Sequence, residues 1–205
     1  MAFYLRFNIE TPILKVMNET ALTLQDHFLI AMPSMVDYHF NQSVVYVCAH
    51  SEEGTMGVVV NHPIADIQLG EVLAQMKITS DITEVNSQAV FLGGPVQPER
   101  GFIIHRPNKM WQSTLVTSDD LGVTSSQDIL EAIATGEGPH DTIIILGYAG
   151  WGAGQVEEEI SRNSWISVKA EPGIIFNTPH TSRWQAALSL LGIDPNQLSS
   201  ESGHA

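Results

Sequence analysis

The stretch TIIILGYAGWGAGQVEEEI, residues 142–160, decides how the middle of this chain is interpreted. Its first seven residues form an apolar, β-branched run that predicts a core strand over 142–148. Glycines follow at positions 150, 152 and 154, and the pattern after them is helical. A strand, a glycine-rich loop and a helix N-terminus can together bind an anion, so the stretch raises the question of a nucleotide site.

The spacing of these glycines argues against a nucleotide. It matches neither GxGxxG nor GxxxxGK[ST], and no lysine lies within the stretch to neutralise a phosphate. Three glutamates, residues 157–159, stand at the start of the predicted helix. Their carboxylates complement the positive end of the helix dipole and repel an incoming phosphate. We therefore predict a tight turn followed by a helix that carries its own negative charge, with no phosphate bound.

Other apolar runs predict the rest of a sheet. β-branched and aromatic residues predict strands over 27–33, 43–50 and 55–61, with residues 51–54 as a hairpin turn. Asn61-His62-Pro63 is expected to end the third strand, because proline cannot continue a ladder of hydrogen bonds. Further along, AVFLGG (89–94) and RGFIIHR (100–106) flank a loop rich in glycine and proline and predict a second antiparallel pair. WQSTLVT (111–117) is expected to extend that sheet.

Helical patterns lie between these strands. They predict helices over 69–76, over 126–135 and from Thr178-Pro179 to Gly192, the last with Trp184, Ala187, Leu188 and Leu191 on one apolar face. The sequence therefore predicts a single compact α+β domain, α/β-like in character, with a mixed, largely antiparallel sheet flanked by three to four helices. We assign residues 24–194 to this domain, 1–23 to an N-terminal extension and 195–205 to a C-terminal tail.

Charge and cysteine content restrict the partners and the compartment. Among 205 residues, 23 acidic side chains face nine basic ones, and the formal net charge of −14 disfavours nucleic acid and anionic membranes as partners. No run approaches the roughly 20 apolar residues of a membrane span. Cys48 is the single cysteine, so no internal disulfide can form, and we predict a cytoplasmic protein. The sequence specifies no oligomeric state.

Patterns for catalysis and metal binding are missing from the sequence. GxSxG, HExxH and CxxC do not occur, and none of the eight histidines pairs at the i, i+3 or i, i+4 spacing of helical metal ligands. We predict no catalytic residue, no cofactor and no metal. Cys48 has two interpretations: a buried, inert thiol, or a nucleophile activated by His50 on the same face of a strand.

The most promising polar cluster comprises Arg100, His105 and Arg106 beside the loop Gly93-Gly94-Pro95. Loop glycines permit close approach, and the arginines could bind a carboxylate, a phosphate or an acidic partner surface. Alternatively, these arginines pair internally with some of the many acidic residues. Trp151 either covers the following helix or, if exposed, anchors a partner. The candidate ligand or partner site therefore consists of Asn61, Gly93, Gly94, Pro95, Arg100, His105, Gly150, Trp151 and Gly152.

Several dispersed motifs closely resemble the YqgE/AlgH family of bacterial proteins. They are HFLIAMPSM (27–35), EEGTMGVVVNHP (52–63), FLGGPVQPERGFIIHRP (91–107), TSSQDILEAIATGEGP (124–139), GYAGWGAGQVEEEISRNSW (147–165) and the terminal Gly203-His204-Ala205. The resemblance covers roughly residues 24–205. It implies a compact fold with a sheet and flanking helices in a cytosolic bacterial protein, and a regulatory association through alginate production. It implies no reaction, substrate or catalytic residue.

Two features depart from the family pattern. Asn61-His62-Pro63 stands where the family usually has Asn-Arg-Pro, which removes a permanent positive charge from that turn. The stretch before about Leu24 is longer than in most members, and Met17 is an alternative start of the protein. Intact-mass measurement from native cells tests this, because a protein that retains residues 1–16 would contradict a start at Met17.

Three functions follow as hypotheses. The leading one is a non-enzymatic interaction or regulatory protein whose glycine-rich loops and tryptophans form a recognition surface for an unknown protein partner. The second is a small-molecule binder or an enzyme of unknown reaction that uses the same loops. The third is a direct DNA-binding regulator, which the absence of a basic recognition helix or a lysine-arginine stripe disfavours.

Overall fold

The computed structural model of the protein describes residues 23–107 and 109–193. The predicted extension, apart from Thr23, and the predicted tail at 195–205 lie outside these residues, as does the alternative start at Met17.

Ten strands and six helices make up the described chain. The strands are β1 His27–Ala31, β2 Val44–Ser51, β3 Gly54–Val59, β4 Pro63–Gln68, β5 Ala89–Leu92, β6 Val96–His105, β7 Thr114–Val116, β8 Gly122–Thr124, β9 Thr142–Gly152 and β10 Trp165–Lys169. The helices are α1 Leu69–Gln75, α2 Thr83–Asn86, α3 Gln127–Ala134, α4 Gln155–Ser161, α5 Pro172–Phe176 and α6 Arg183–Ser189, with a 3-10 turn at His180–Ser182 before α6. α2 and α5 are only four and five residues long, which explains why helical periodicity predicts fewer helices.

Strand β9 pairs with β3, β5 and β6 and so connects the strands into one sheet. The strand order is β10-β1-β2-β3-β9-β6-β8-β7, and β5 pairs in parallel with β9 and antiparallel with β4. β5–β9 is the single parallel pair among the described strands, so the prediction of a mixed, largely antiparallel sheet in an α+β domain is confirmed.

The central strands of the sheet are buried on both faces, which is why they are almost continuously apolar. Along β9, Ile143 and Ile145 pack in one hydrophobic cluster, with side chains from α5 and α6, while Ile144 and Leu146 pack in another, with side chains from α1 and α3. A third cluster lies between β1, β2, β3, the end of β9 and helix α4. Alternating side chains of the same strands therefore supply separate layers of the core.

The predicted antiparallel pair of residues 89–94 with 100–106 is wrong. β9 lies between β5 and β6, and Ile144 is opposite Val90 on one side and Ile103 on the other. The loop between β5 and β6 has the composition of a hairpin turn, but a strand about 40 residues later in the chain is inserted between its two arms. Local turn residues cannot reveal such a distant partner.

The predicted glycine-rich loop at 150–154 is also largely wrong. β9 continues through these glycines to Gly152, and Met56 and Gly54 of β3 are opposite Gly150 and Gly152. Only Ala153 and Gly154 separate β9 from α4, and Gly154 has a left-handed φ of 71°. The hairpin between β2 and β3 is confirmed, with Ser51 opposite Gly54.

Two further boundaries differ from the sequence predictions. β3 does end before Asn61-His62-Pro63, as expected, but Pro63 itself begins strand β4, in which proline occupies the first position. The helix expected from Thr178-Pro179 begins as the 3-10 turn, and α6 starts at Arg183. Leu191, expected on its apolar face, lies beyond the helix and is exposed.

Candidate functional site

The structure places Gly93 and Gly94 against backbone atoms. The Gly93 amide donates to the Leu146 carbonyl at 2.8 Å, and the Gly93 carbonyl accepts from the Val59 amide at 2.8 Å. A Cβ on Gly93 would lie 2.3 Å from the Gly147 carbonyl oxygen, and one on Gly94 would lie 2.4 Å from the Tyr148 carbonyl. The close approach that these glycines permit is therefore made by β9 itself.

Asn61 and His105 are buried, and their polar atoms have partners within the protein. The Asn61 Oδ1 accepts from the Val44 amide at 2.8 Å, and its Nδ2 donates to the Gln42 carbonyl at 2.8 Å. His105 Nδ1 lies 2.9 Å from the Arg106 carbonyl oxygen, and Nε2 lies 2.8 Å from Thr124 Oγ1. Burial lowers the pKa of His105, which favours the neutral ring in this network.

The two arginines of the polar cluster are engaged in different contacts. Arg100 donates from Nη1 to Gln97 Oε1 at 3.1 Å, and its guanidinium lies over the rings of Phe102 and Tyr148. Arg106 Nε lies 2.7 Å from Asp141 Oδ2. For Arg106 this is the internal pairing that the sequence left open as the alternative to an anion site.

Trp151 covers helix α4. It is only 7% exposed, and its Nε1 donates to Glu159 Oε2 at 2.9 Å. Trp165 Nε1 donates to the same oxygen at 2.8 Å, so one carboxylate accepts hydrogen bonds from two buried indoles. The tryptophans therefore do not form an exposed recognition surface: Trp111 and Trp184 are also at least nine-tenths buried.

The three glutamates at 157–159 each have a specific partner. Glu157 Oε1 lies 3.4 Å from His50 Nε2, Glu158 pairs with Arg162 along the helix, and Glu159 accepts from the indoles. The N-cap position is Gly154, and no side chain makes a capping hydrogen bond there.

The candidate residues are spread along β9. His105 is opposite Thr142 at its start, Gly93 and Gly94 contact its middle, and Gly150 to Gly152 form its exposed end around the buried Trp151. Asn61 lies near the middle group, because the His62 carbonyl accepts from the Leu92 amide at 2.8 Å. At about 3.3 Å per residue, the two ends of this strand are roughly 30 Å apart. The structure thus brings Asn61, Gly93 and Gly94 together, places Gly94 beside Tyr148 and Ala149 just before Gly150, and leaves His105 at the opposite end of the strand.

A cavity of about 190 Å³ opens elsewhere, at the start of β5 and β9. Its lining residues are Gln88, Ala89, Phe91, His140, Asp141, Thr142, Ile143, Ile175, Phe176 and Arg183. None of them belongs to the predicted site. The sequence contains one signal for this cavity. Arg183 is a charged residue immediately before Trp184, which lies on the apolar face of the predicted helix.

Arg183 is a buried cation. It is 6% exposed, donates from Nε to the Thr178 carbonyl at 3.0 Å and from Nη1 to the Val60 carbonyl, and lies over the Phe91 ring. Burial lowers its pKa to about 10, so the guanidinium remains charged at neutral pH. Within residues 23–107 and 109–193, no carboxylate oxygen lies within 4.0 Å of it.

Cys48 is an inert core thiol in this structure, because it is 1% exposed and burial raises its pKa to about 12. His50 instead contacts Thr55 Oγ1 at 2.8 Å.

We expect no reaction of the folded protein with Ellman's reagent at pH 8 and release of one equivalent of thiolate in denaturant, measured by absorbance. An unfolded thiol ionises at a pH of about 8.5. The neutral, buried thiol therefore contributes its full stabilisation below that pH, and this contribution is lost as the pH rises towards 12. Rapid stoichiometric labelling of the native protein would contradict this.

The described part of the chain contains no group of three or more His, Cys, Asp or Glu side chains placed to hold a metal ion. None of its helices has the length and apolar character needed to cross a membrane.

Comparison with known proteins gives one consistent family. A family model described as AlgH-like (DUF179) matches residues 28–196. A UPF0301 protein from Nitrosococcus oceani is 46% identical over 187 residues, covering 91% of this chain and all of that protein. The solution structure of the AlgH protein from Pseudomonas aeruginosa is 42% identical, covers 93% of this chain and all of that chain, and superposes with a TM-score of 0.75. A Corynebacterium diphtheriae crystal structure, 21% identical over 91% of this chain and 95% of that one, shares the fold with a TM-score of 0.68.

Proposed function

This chain belongs to the AlgH-like family, and from that premise we propose that it is a non-catalytic protein that acts by binding a protein partner through the loop at residues 32–43. The observation that carries the proposal is the exposure of two large side chains on this loop. Val36 is 98% exposed and Tyr38 is 80% exposed, whereas most large apolar side chains of the domain are buried. Large apolar side chains exposed two residues apart on one loop are typical of a contact surface.

The loop is attached firmly at its base. Phe40 packs against Trp165 and Trp151, with ring centroids 5.4 and 6.2 Å apart, and the Met32 amide donates to the Ser164 carbonyl at 3.1 Å. The exposed residues therefore project from an ordered base, which lowers the entropy lost when a partner binds.

The surroundings of the loop favour a basic partner. Asp37 lies between the two exposed residues, and α4, next to the anchored base, presents the half-exposed carboxylates of Glu157 and Glu158. The whole chain carries a formal net charge of −14. We therefore infer that the partner presents a segment with apolar side chains and lysine or arginine next to them.

Removal of the exposed side chains should weaken partner binding. We expect the Val36→Ser/Tyr38→Ser double variant to lose at least about tenfold in affinity, since a buried tyrosine anchor contributes about 2 kcal/mol to binding. The measurement is quantitative affinity purification from cells at native salt, followed by titration of the recovered partner. Met110→Ser is the matched control, because Met110 is also 71% exposed but lies outside the loop.

Three results would contradict the proposal. One is a partner retained equally by the double variant; another is the absence of any stoichiometric partner over several growth conditions. The third is a wild-type dimer in light scattering that the double variant dissociates, because the loop would then bind a second copy of this chain.

The other hypotheses have less support. A small-molecule site built from the glycine-rich loops lacks space at Gly93 and Gly94, where backbone atoms of β9 occupy the position. A direct DNA-binding role conflicts with the strongly negative charge of the chain. We propose a cytoplasmic location from the single, buried cysteine.

A further inference from the structure

The cavity beside Arg183 combines a buried cation, an apolar wall and the polar side chains of Gln88, His140, Asp141 and Thr142. Phe91, Ile143, Ile175 and Phe176 form the apolar wall, and the Arg183 guanidinium lies over the ring of Phe91 at 5.1 Å. Asp141, which also lines the cavity, is paired with Arg106 at 2.7 Å and makes no ion pair with Arg183 within 4.0 Å. Independently of the proposed partner loop, we infer that this cavity binds a small organic carboxylate, with its charged group on Arg183 and its apolar body against Phe91 and Ile175.

Hydrogen-bond counting supports an acceptor from outside the described chain. A guanidinium has five N–H donors, and those of Arg183 reach only two protein acceptors, the carbonyls of Thr178 and Val60. Nη2 has no acceptor among residues 23–107 and 109–193. A buried charge without a counterion is unfavourable, and a carboxylate supplies both the opposite charge and the missing acceptors.

Size and wall chemistry favour a carboxylate over phosphate. A space of about 190 Å³ is smaller than the pockets that hold drug-sized ligands, so the ligand has few heavy atoms. Phosphate carries more negative charge than a carboxylate, whereas the lining offers Arg183 as its one permanent cation and also contains the Asp141 carboxylate, which repels an anion. A carboxylate on a short apolar body leaves no polar atom against Phe91, Ile143, Ile175 or Phe176.

The test is a calorimetric and thermal-shift titration of the full chain with benzoate and isovalerate, using benzamide and inorganic phosphate as comparison probes. We expect saturable binding of at least one carboxylate and none of benzamide, because the neutral amide cannot pair with the guanidinium. Arg183→Gln should lower carboxylate affinity at least about tenfold. Arg162→Gln, which removes an exposed arginine from α4, is the matched control and should leave the affinity unchanged.

A second variant keeps the test decisive if Arg183→Gln does not fold. Ala89 lines the cavity from an exposed strand position, where a phenylalanine is compatible with the strand. Ala89→Phe should fill the cavity and also lower carboxylate affinity at least about tenfold while Arg183 stays in place. Equal affinity in Ala89→Phe, equal binding of benzamide, preference for phosphate, or no saturable carboxylate binding would each overturn the inference. None of these results bears on the loop at residues 32–43.

Discussion

Gly93→Ala should prevent the protein from folding or lower its free energy of unfolding by at least about 3 kcal/mol. The added methyl would lie 2.3 Å from the Gly147 carbonyl oxygen and 2.4 Å from Ile145 Cγ2. The backbone cannot move aside, because the Gly93 amide and carbonyl bond to β9 and β3 on either side. The two strands would have to separate at the centre of the sheet. Urea denaturation followed by circular dichroism measures the effect.

Gly150→Ala is the matched control for this prediction. Gly150 lies on the same strand that Gly93 contacts, but a Cβ there would meet only the Tyr148 ring at an ordinary 3.5 Å. We expect a change of less than about 0.5 kcal/mol, typical of an exposed position. If Gly93→Ala unfolded at the same urea concentration as the control, Gly93 could not pack directly against the backbone of β9.

Glu159→Met should lower the free energy of unfolding by about 2 to 4 kcal/mol. The substitution keeps a long side chain but leaves the buried indole N–H groups of Trp151 and Trp165 without their acceptor, at about 1 to 3 kcal/mol for each. Gln155, which donates to the other carboxylate oxygen at 2.9 Å, would also lose its partner. Urea unfolding followed by tryptophan fluorescence reports on the affected residues directly.

The preceding residue supplies the control. Glu158 also lies on α4, but it makes an exposed i, i+4 pair with Arg162, with side-chain exposures of 59% and 72%. Glu158→Met should therefore change the stability by about 0.5 kcal/mol or less. Glu159→Gln should fall between the two, since its amide oxygen can still accept from the indoles without the negative charge. Equal stabilities of the Glu158 and Glu159 variants would show that the indole contacts contribute nothing.

Local sequence patterns predicted the fold class and many elements for clear physical reasons. The hairpin at 51–54, the helices at 69–76 and 126–135 and the core strand from Thr142 depend on interactions between near neighbours, and all of them are present. The strand pairing of 89–94 with 100–106 failed, because it depended on Ile144, a residue distant in the chain. Periodicity identifies an element, but it does not identify the element that lies beside it.

The candidate site shows the same limit. The sequence singled out glycines, arginines and a tryptophan as candidate contact residues, but it could not distinguish a ligand from another part of the chain as the contact they make. Gly93 contacts β9, Arg106 contacts Asp141, and Trp151 contacts Glu159. Arg183 by itself does not mark a cavity in the sequence, because a single arginine in a helical pattern indicates one only once β5, β9 and α5 surround it.

The sequence by itself determined the family, the α+β class and the negative charge, since these follow from residue identity and from spacings of two to four residues. Tertiary structure alone decided that β9 separates β5 from β6, that one carboxylate holds two indoles, and that a buried guanidinium lines a cavity. Each of these depends on groups that are distant along the chain and adjacent in space, and burial changes their energies only after the sheet has brought them together.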